Sequence, residues 1–223
     1  WLLAWSKIKP LNIHPSALPK YRGASPGQFA LLAGDRTSAV SIIEVTDKLD
    51  AGDIWWQENF SVDQSWTASD YYKFAFDFTM PHLADTMEKV ATKQITAKSQ
   101  PANAPLPLAR QLTKDDSFVS WQTLGKLLQI ESGGGSQANS STLTDEPHGL
   151  LMSLLTNLTP LDQVKQVERA CRAFDPWPPM WTYYQGKRMQ ILKCHIENEL
   201  LVLDLVKIEG KSANSFTDSY TAP

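Results

Sequence analysis

Apolar and polar positions in the first hundred residues predict a short helix, two strands and a long helix. Residues 25–34 begin with Ser and Pro and end with Gly, the residue types that start and end helices. Residues 38–45 and 53–60 are β-branched or aromatic runs separated by Asp-Ala-Gly at 50–52, which indicates two strands joined by a turn. From Thr67 apolar residues recur at helical spacing, and a proline inside this stretch predicts a kink or two stacked helices.

The second half of the chain predicts a helix followed by a small antiparallel sheet. Apolar residues occupy one helical face between residues 161 and 174, and strand-like runs follow. The predicted strands are residues 180–184, 188–196 and 200–208, with turns at 185–186 and 197–198.

A change of composition separates two predicted domains. The Pro- and Ala-rich stretch that begins at residue 98 predicts a linker over residues 98–117. The first domain would then cover residues 1–97 and the second residues 118–223. A Gly/Ser-rich run near 132–145 predicts a disordered insert in the second domain.

Composition narrows the classes of protein that fit. The chain has 223 residues, 42% of them hydrophobic, and a formal net charge of −3. It is long enough to bury a core as one large domain or two small ones, and its composition excludes disorder throughout. The small negative charge argues against binding of nucleic acid by electrostatic attraction alone, although a nucleic acid can still be a transient substrate.

Further features bear on the compartment and on the start of the chain. Cys171 and Cys194 cannot make a disulfide framework, which favours a reducing compartment. No apolar run approaches the roughly 20 residues of a membrane span. The sequence opens on Trp inside an apolar segment rather than on Met, so we expect an N-terminally truncated first domain.

Candidate chemistry is concentrated around one histidine. Asn12 and His14 lie two positions apart in an extended segment, so both side chains project from the same face, and Pro15 keeps His14 out of the helical region. An amide can stabilise an oxyanion and an imidazole can move a proton, which are the needs of acyl transfer. Asp50 is the candidate to raise the histidine pKa and favour imidazolium. Such residues also occur at ordinary strand ends and turns, and no Cys/His/Asp spacing indicates a metal.

Two longer motifs resemble those of a known family. Residues 12–24, NIHPSALPKYRGA, resemble the signature loop of folate-dependent formyltransferases, N-x-H-x-S-L-L-P followed by a basic residue and R-G-A. Residues 49–53, LDAGD, resemble the family's second signature, whose aspartate completes the site. Residues 172–182, RAFDPWPPMWT, are similar to the start of the C-terminal domain of the methionyl-tRNA formyltransferases, a small barrel that helps to hold the tRNA.

The resemblance implies a fold and a reaction. The fold would be α/β, the C-terminal part of a Rossmann-like formyltransferase domain followed by a small OB-like β-barrel. The reaction would move a formyl group from 10-formyltetrahydrofolate, without a metal, to the α-amine of initiator methionyl-tRNA for translation initiation. The implied catalytic residues are Asn12, His14 and Asp50, and the implied folate-binding residues are Ser16, Ala17, Leu18 and Pro19.

Some details depart from the family pattern or stay open. Ala17 stands where Leu is usual, and from Pro160 onward eight basic and eight acidic residues balance, a poor electrostatic match to tRNA. The Leu18–Pro19 bond is a candidate cis peptide. Arg22 either contacts a substrate phosphate or folate carboxylate, or pins its loop to Asp35 or another acid; the structural interpretation is favoured.

The resemblance also leaves the formyl acceptor open. Formyltransferases for sugar nucleotides of the 4-amino-arabinose type share the Asn-x-His…Asp pattern, and formyltetrahydrofolate hydrolases use the same site with water as acceptor. An inactive fragment is a further alternative. We expect a cytoplasmic monomer, with the mitochondrial matrix as the alternative compartment.

Overall fold

The computed structural model describes residues 10–101, 108–129 and 146–216. The chain divides into two compact units, with the boundary between Gln111 and Leu112. The predicted insert at 132–145 lies outside the described residues. Among those that are described, none of the helices combines the length and apolarity that a membrane span requires.

The first unit contains a three-stranded antiparallel sheet and two helices. Its strands follow the order β1-β2-β3, which is also their order along the chain. The predicted strands and first helix are present, with boundaries shifted by a residue at most ends. The elements are β1 (Leu11–His14), α1 (Pro26–Ala33), β2 (Thr37–Glu44), β3 (Ile54–Ser61) and α2 (Ala68–Ala91).

The central strand β2 provides much of the core of this unit. Its residues 38–43 are all buried, so β2 is covered on both faces. On one side lies a small apolar cluster in which Ile43 meets Leu18 and Ile54. The fully buried Tyr71 of α2 contributes a further large side chain to the core.

Helix α2 runs without interruption through Pro81, so of the two expected alternatives, a kink or two stacked helices, the second is wrong. A capping box, in which Thr67 and Asp70 exchange hydrogen bonds, fixes its first turn. Proline cannot donate to the carbonyl of Asp77, four residues earlier. Both residues are exposed, and water can therefore satisfy that carbonyl.

The second unit contains short helices and a three-stranded antiparallel meander. Its strands follow the order β4-β5-β6. A 3₁₀ turn at Asp115–Ser117 precedes the first of these helices. The remaining elements are α3 (Trp121–Leu127), α4 (Leu150–Leu155), α5 (Pro160–Ala173), β4 (Met180–Tyr184), β5 (Lys187–Glu197) and β6 (Leu200–Ile208).

Two tight turns join the strands of the second sheet. Gln185 and Gly186 both have positive φ, at 50° and 73°, as a two-residue hairpin turn with right-handed twist requires. The second turn was predicted at 197–198 and is displaced by one residue. Glu197 pairs with Leu200, and residues 198–199 take the positive φ values instead.

The structure is therefore an α/β protein with two small antiparallel sheets, one in each unit. Residues 98–101, at the start of the predicted linker, belong to the first unit. The backbone of Lys98 pairs with that of Ile54, with both hydrogen bonds at 2.8 Å. This pairing brings the segment beside the turn that precedes β3.

Candidate functional site

The fold of the first unit brings His14 and Asp50 together. His14 is the last residue of β1, and its backbone pairs with Ser41 in the central strand. Asp50 lies in the turn between β2 and β3, and one of its carboxylate oxygens, Oδ2, is 3.6 Å from Nδ1 of His14. This separation is an ion-pair distance and is longer than a hydrogen bond.

The other nitrogen of the imidazole has a different partner. Nε2 of His14 lies 3.0 Å from the backbone carbonyl oxygen of Tyr21. A carbonyl oxygen only accepts hydrogen bonds, so Nε2 must carry a hydrogen. In the neutral histidine the lone pair then lies on Nδ1, the nitrogen on the Asp50 side.

Burial sets the charge state of His14. The side chain is almost entirely buried, and loss of solvation lowers its pKa below the ordinary value, although the Asp50 carboxylate and the Tyr21 carbonyl both raise it. Asp50 does raise this pKa, as the sequence predicts, but the effect of burial is larger and the net shift is downward. The expectation that the Asp50 carboxylate decides the charge of this imidazole is therefore wrong, because burial opposes it.

Asn12 is placed on the same strand as His14 but in a different environment. It lies two residues earlier in β1, so both side chains point to the same side of the strand. The Asn12 side chain is exposed, and it has no hydrogen-bond partner among the residues that the structure describes. Its amide can therefore donate to a bound molecule.

The turn at residues 16–19 is held by hydrogen bonds from side chains of β2 and β3. The carbonyl oxygen of Ser16 accepts from the Ser41 hydroxyl at 2.7 Å, and that of Leu18 accepts from Gln57 Nε2 at 3.0 Å. The Leu18–Pro19 peptide bond is cis, as expected. The carbonyl of Ala17 is engaged as well, since it accepts from the backbone amide of Lys20 at 3.0 Å.

Arg22 has a structural contact, but its partner differs from the expected acid. Its Nε and Nη2 donate to Gln100 Oε1 at 3.0 and 2.8 Å, and Nη2 also donates to the Pro101 carbonyl at 3.1 Å. Asp35 instead accepts from Lys20 at 2.6 Å and from the Tyr21 hydroxyl at 2.9 Å. Arg22 is buried, and no carboxylate is paired with it among the described residues.

Asp50 is fixed from both its side chain and its backbone. The amide of Gly23 donates to Asp50 Oδ2 at 2.8 Å. Gln100 Nε2 donates to the backbone carbonyls of Asp50 and Gly52 at 2.9 and 2.7 Å. Asp50 has a φ of 47°, a left-handed conformation that a non-glycine residue adopts only at some cost in energy.

Sequence reasoning missed Gln100. It lies in a stretch whose Pro and Ala content indicates a linker, and no pattern around it points to a site. The feature that places Gln100 at the site is the antiparallel pairing of Ile54 with Lys98, which sets residue 100 opposite residue 52. That pairing involves one bridge and leaves no periodic trace in the sequence.

The site offers acid–base groups and hydrogen-bond donors rather than metal ligands. Among the described residues, no three His, Cys, Asp or Glu side chains are arranged to hold a metal ion. An imidazole beside a carboxylate can move a proton, and an exposed amide on the same side of the strand can stabilise a developing oxyanion.

Comparisons with known proteins identify formyltransferases among the relatives of this chain. The sequence matches the family described as "Formyl transferase" over residues 2–83 and "Formyl transferase, C-terminal domain" over residues 161–213. Methionyl-tRNA formyltransferase of Natranaerobius thermophilus is 28% identical over 197 residues, which are 88% of this chain and 50% of that protein. The chain thus spans about half the length of the curated relatives it matches.

Solved structures show the same fold. HypX from Aquifex aeolicus in complex with tetrahydrofolic acid superposes with a TM-score of 0.58 at 18% identity, over 86% of this chain and 27% of that one. Methionyl-tRNA formyltransferase from Clostridium thermocellum gives a TM-score of 0.55 at 17% identity, over 91% of this chain and 70% of that one. Because both domain matches fall in order along one sequence, one in each unit, this chain belongs to the formyltransferase family.

Proposed function

We propose that the protein transfers a formyl group from 10-formyltetrahydrofolate to the α-amine of initiator methionyl-tRNA, for translation initiation. The observation that carries the proposal is the buried His14–Asp50 pair, with the exposed Asn12 amide on the same side of β1. Asn12, His14 and Asp50 are the proposed catalytic residues. An imidazole that can move a proton, a carboxylate that can stabilise its charged form and an amide that can donate to an oxyanion suit formyl transfer between nitrogens.

The first step forms a tetrahedral intermediate. The free amine attacks the formyl carbon with its lone pair, and the carbonyl electrons move to the formyl oxygen. Asn12 donates a hydrogen bond to that oxygen as it becomes negative. Donors aimed at a developing charge stabilise the transition state more than the ground state, which is the condition for catalysis.

The second step moves one proton from the attacking nitrogen to the leaving nitrogen. Nε2 of His14 keeps its hydrogen on the Tyr21 carbonyl, so Nδ1 takes the proton from the ammonium and returns it to N10 of the folate. The carbon–N10 bond then breaks, and tetrahydrofolate leaves. Asp50, 3.6 Å from Nδ1, stabilises the imidazolium that exists between the two transfers.

The folate would be held by the turn that follows His14. Ser16, Ala17, Leu18 and Pro19 are the proposed folate-binding residues. Hydrogen bonds from Ser41 of β2 and Gln57 of β3 keep the shape of this turn fixed before the ligand arrives, which reduces the entropy lost on binding. The likeness of the fold to HypX solved with tetrahydrofolic acid supports a folate co-substrate.

The proposed formyl acceptor and the proposed fold types of the two units are inferred from the relatives. Curated relatives named methionyl-tRNA formyltransferase support the tRNA acceptor, and with it a cytoplasmic or mitochondrial location. We further propose that the first unit is part of a Rossmann-like domain and that the second is an OB-like barrel. The division into 1–97, a linker at 98–117 and 118–223 stays our proposal for the domains, and a monomer our proposal for the assembly.

The test is an assay of labelled formyl transfer with three acceptors. The protein encoded by the gene that carries this sequence would be given 10-formyltetrahydrofolate with initiator methionyl-tRNA, a 4-amino sugar nucleotide, or water alone. We expect transfer to the tRNA and its loss in His14→Ala. Transfer only to the sugar nucleotide, or hydrolysis alone, would overturn the proposed acceptor. Transfer at the parental rate by His14→Ala would overturn the proposed mechanism.

A further inference from the structure

Gln100 closes a ring of hydrogen bonds around Asp50. Its amide nitrogen donates to the carbonyls of Asp50 and Gly52, and its amide oxygen accepts two hydrogen bonds from Arg22. The next residue along the chain from Arg22 is Gly23, whose amide donates to Asp50 Oδ2. The ring therefore links the backbone of Asp50 to its own carboxylate through the loop that follows β1.

Every hydrogen-bonding position of the Gln100 amide is used in this ring. A primary amide has two N–H donors and one oxygen with two lone pairs, and Gln100 makes four bonds of matching kind. Such full use leaves the side chain one orientation. The pairing of Ile54 with Lys98 fixes the backbone that carries it.

The turn at residues 50–52, to which Gln100 donates, has an uncommon backbone conformation. Asp50 has a φ of 47°, in the left-handed region. An ideal Cβ at Gly52 would lie 1.7 Å from the Glu44 carbonyl oxygen, so the turn is also packed closely against β2. A conformation of this kind persists where its surroundings hold it, and Gln100 makes two of the hydrogen bonds that do so.

We propose that Gln100 is a positioning residue for the proposed formyl transfer, and that it acts by holding the Asp50 carboxylate against Nδ1 of His14. The inference rests on the proposed function only for its kinetic consequence. Gln100 has no place among the proposed catalytic residues, and its hydrogen bonds go to protein groups. Gln100 therefore acts on the reaction through Asp50.

Two substitutions distinguish a role of Gln100 in positioning Asp50 from a role that is limited to accepting hydrogen bonds from Arg22. Gln100→Met removes all four hydrogen bonds without adding charge. Gln100→Glu keeps an acceptor for Arg22, now as an ion pair, but an ionised carboxylate cannot donate to the carbonyls of Asp50 and Gly52. We expect both variants to lower kcat at least about tenfold, with KM for 10-formyltetrahydrofolate changed less than about twofold.

A second readout does not depend on formyl transfer. The pKa of His14 can be followed by NMR titration of its imidazole in the parent and in Gln100→Met. The groups that face this imidazole are the Asp50 carboxylate and the Tyr21 carbonyl, and Asp50 raises the histidine pKa. When the carboxylate is released from its place, we expect the His14 pKa to fall below that of the parent.

The control is Gln94→Met, at an exposed glutamine in the first unit whose side chain makes no hydrogen bond to another described residue. A parental kcat in Gln100→Glu would overturn the proposal, because the role would then be to satisfy Arg22. An unchanged or raised His14 pKa in Gln100→Met would overturn it as well. Should the parent transfer no formyl group, the titration still decides the positioning, and the two failures remain distinct.

Discussion

Nε2 of His14 lies 3.0 Å from the backbone carbonyl oxygen of Tyr21, and this contact fixes which nitrogen of the ring can react. Because the carbonyl requires a hydrogen on Nε2, proton exchange takes place at Nδ1. Nδ1 is the nitrogen that Asp50 approaches. One backbone carbonyl thus assigns the tautomer of the histidine and, with it, the direction in which a proton leaves.

The charge state of His14 gives the first prediction. Burial lowers its pKa below the ordinary 6.5, and Asp50 opposes this shift. Proton uptake by His14 should therefore occur below pH 6.5, and Asp50→Asn should lower the pKa further because the opposing charge is removed. NMR titration of the imidazole measures both values.

The control for this titration is Asp77→Asn. Asp77 is an exposed carboxylate of α2 that pairs with Lys73, so its substitution should leave the His14 pKa at the parental value. A His14 pKa above 6.5, or one that rises on substitution of Asp50, would contradict the prediction. The first result would mean that the effect of Asp50 outweighs that of burial, and the second that Asp50 does not stabilise the imidazolium.

The second prediction concerns Asn12. Its exposed amide is the proposed oxyanion donor, and removal of one such donor typically costs about 3 kcal/mol of barrier, or roughly a hundredfold in rate. Asn12→Ala should lower kcat by that amount and leave folate binding and thermal stability close to parental. Single-turnover transfer of labelled formyl groups and thermal unfolding measure the two quantities.

Asn59→Ala is the matched control, since Asn59 is another exposed strand asparagine, in β3. It should retain the parental kcat and stability. Equal activity of the Asn12 and Asn59 variants would show that Asn12 donates nothing to the transition state.

The sequence predicted where the candidate site residues lie better than it predicted their charge and hydrogen bonds. Asn12 and His14 could be placed on one side of a strand because side chains alternate along it, and Asp50 because it stands in a turn between two strand-like runs. The charge of His14 could not be predicted, because it depends on burial by residues distant in sequence. Gln100 was missed for the same reason: its partners lie about fifty and eighty residues away.

Local rules also explain which elements were placed well. Ser25 and Gly34 bound α1, although the Ser25 side chain makes no capping hydrogen bond. Pro81 does not divide α2, because it lies at an exposed position where solvent can satisfy the carbonyl that loses its donor. The turn between β5 and β6 moved by one residue because strand pairing continued to Glu197.

The third prediction concerns a buried tyrosine behind the catalytic strand. The hydroxyl of Tyr71 donates to the Pro15 carbonyl at 3.0 Å and shares a hydrogen bond of 2.6 Å with the Ser38 hydroxyl. Tyr71 is fully buried, so Tyr71→Phe leaves buried polar groups without this partner. The free energy of unfolding should fall by about 1–3 kcal/mol, measured by urea denaturation.

Tyr183→Phe provides the comparison. The Tyr183 hydroxyl has no recorded hydrogen bond among the described residues, and this side chain is only half-buried. Its removal should change stability by less than about 0.5 kcal/mol. If both tyrosine variants unfold at the parental urea concentration, the hydrogen bonds of Tyr71 contribute no net stability.

The last prediction tests how closely the Asp50 turn is packed. An ideal Cβ at Gly52 would stand 1.7 Å from the Glu44 carbonyl oxygen, and a backbone atom of a paired strand cannot move aside as a flexible side chain can. Gly52→Ala should therefore shift the turn, displace Asp50 from His14, and destabilise the protein by about 1–3 kcal/mol. Thermal unfolding measures the stability, and the loss of formyl transfer measures the displacement.

Gly125→Ala, in helix α3, is the control: a Cβ there meets nothing within 4 Å, and exchange of glycine for alanine inside a helix should stabilise it by about 1 kcal/mol. Parental activity in Gly52→Ala would mean that the turn adapts without moving Asp50, and the position of this carboxylate would then not depend on the packing of its backbone.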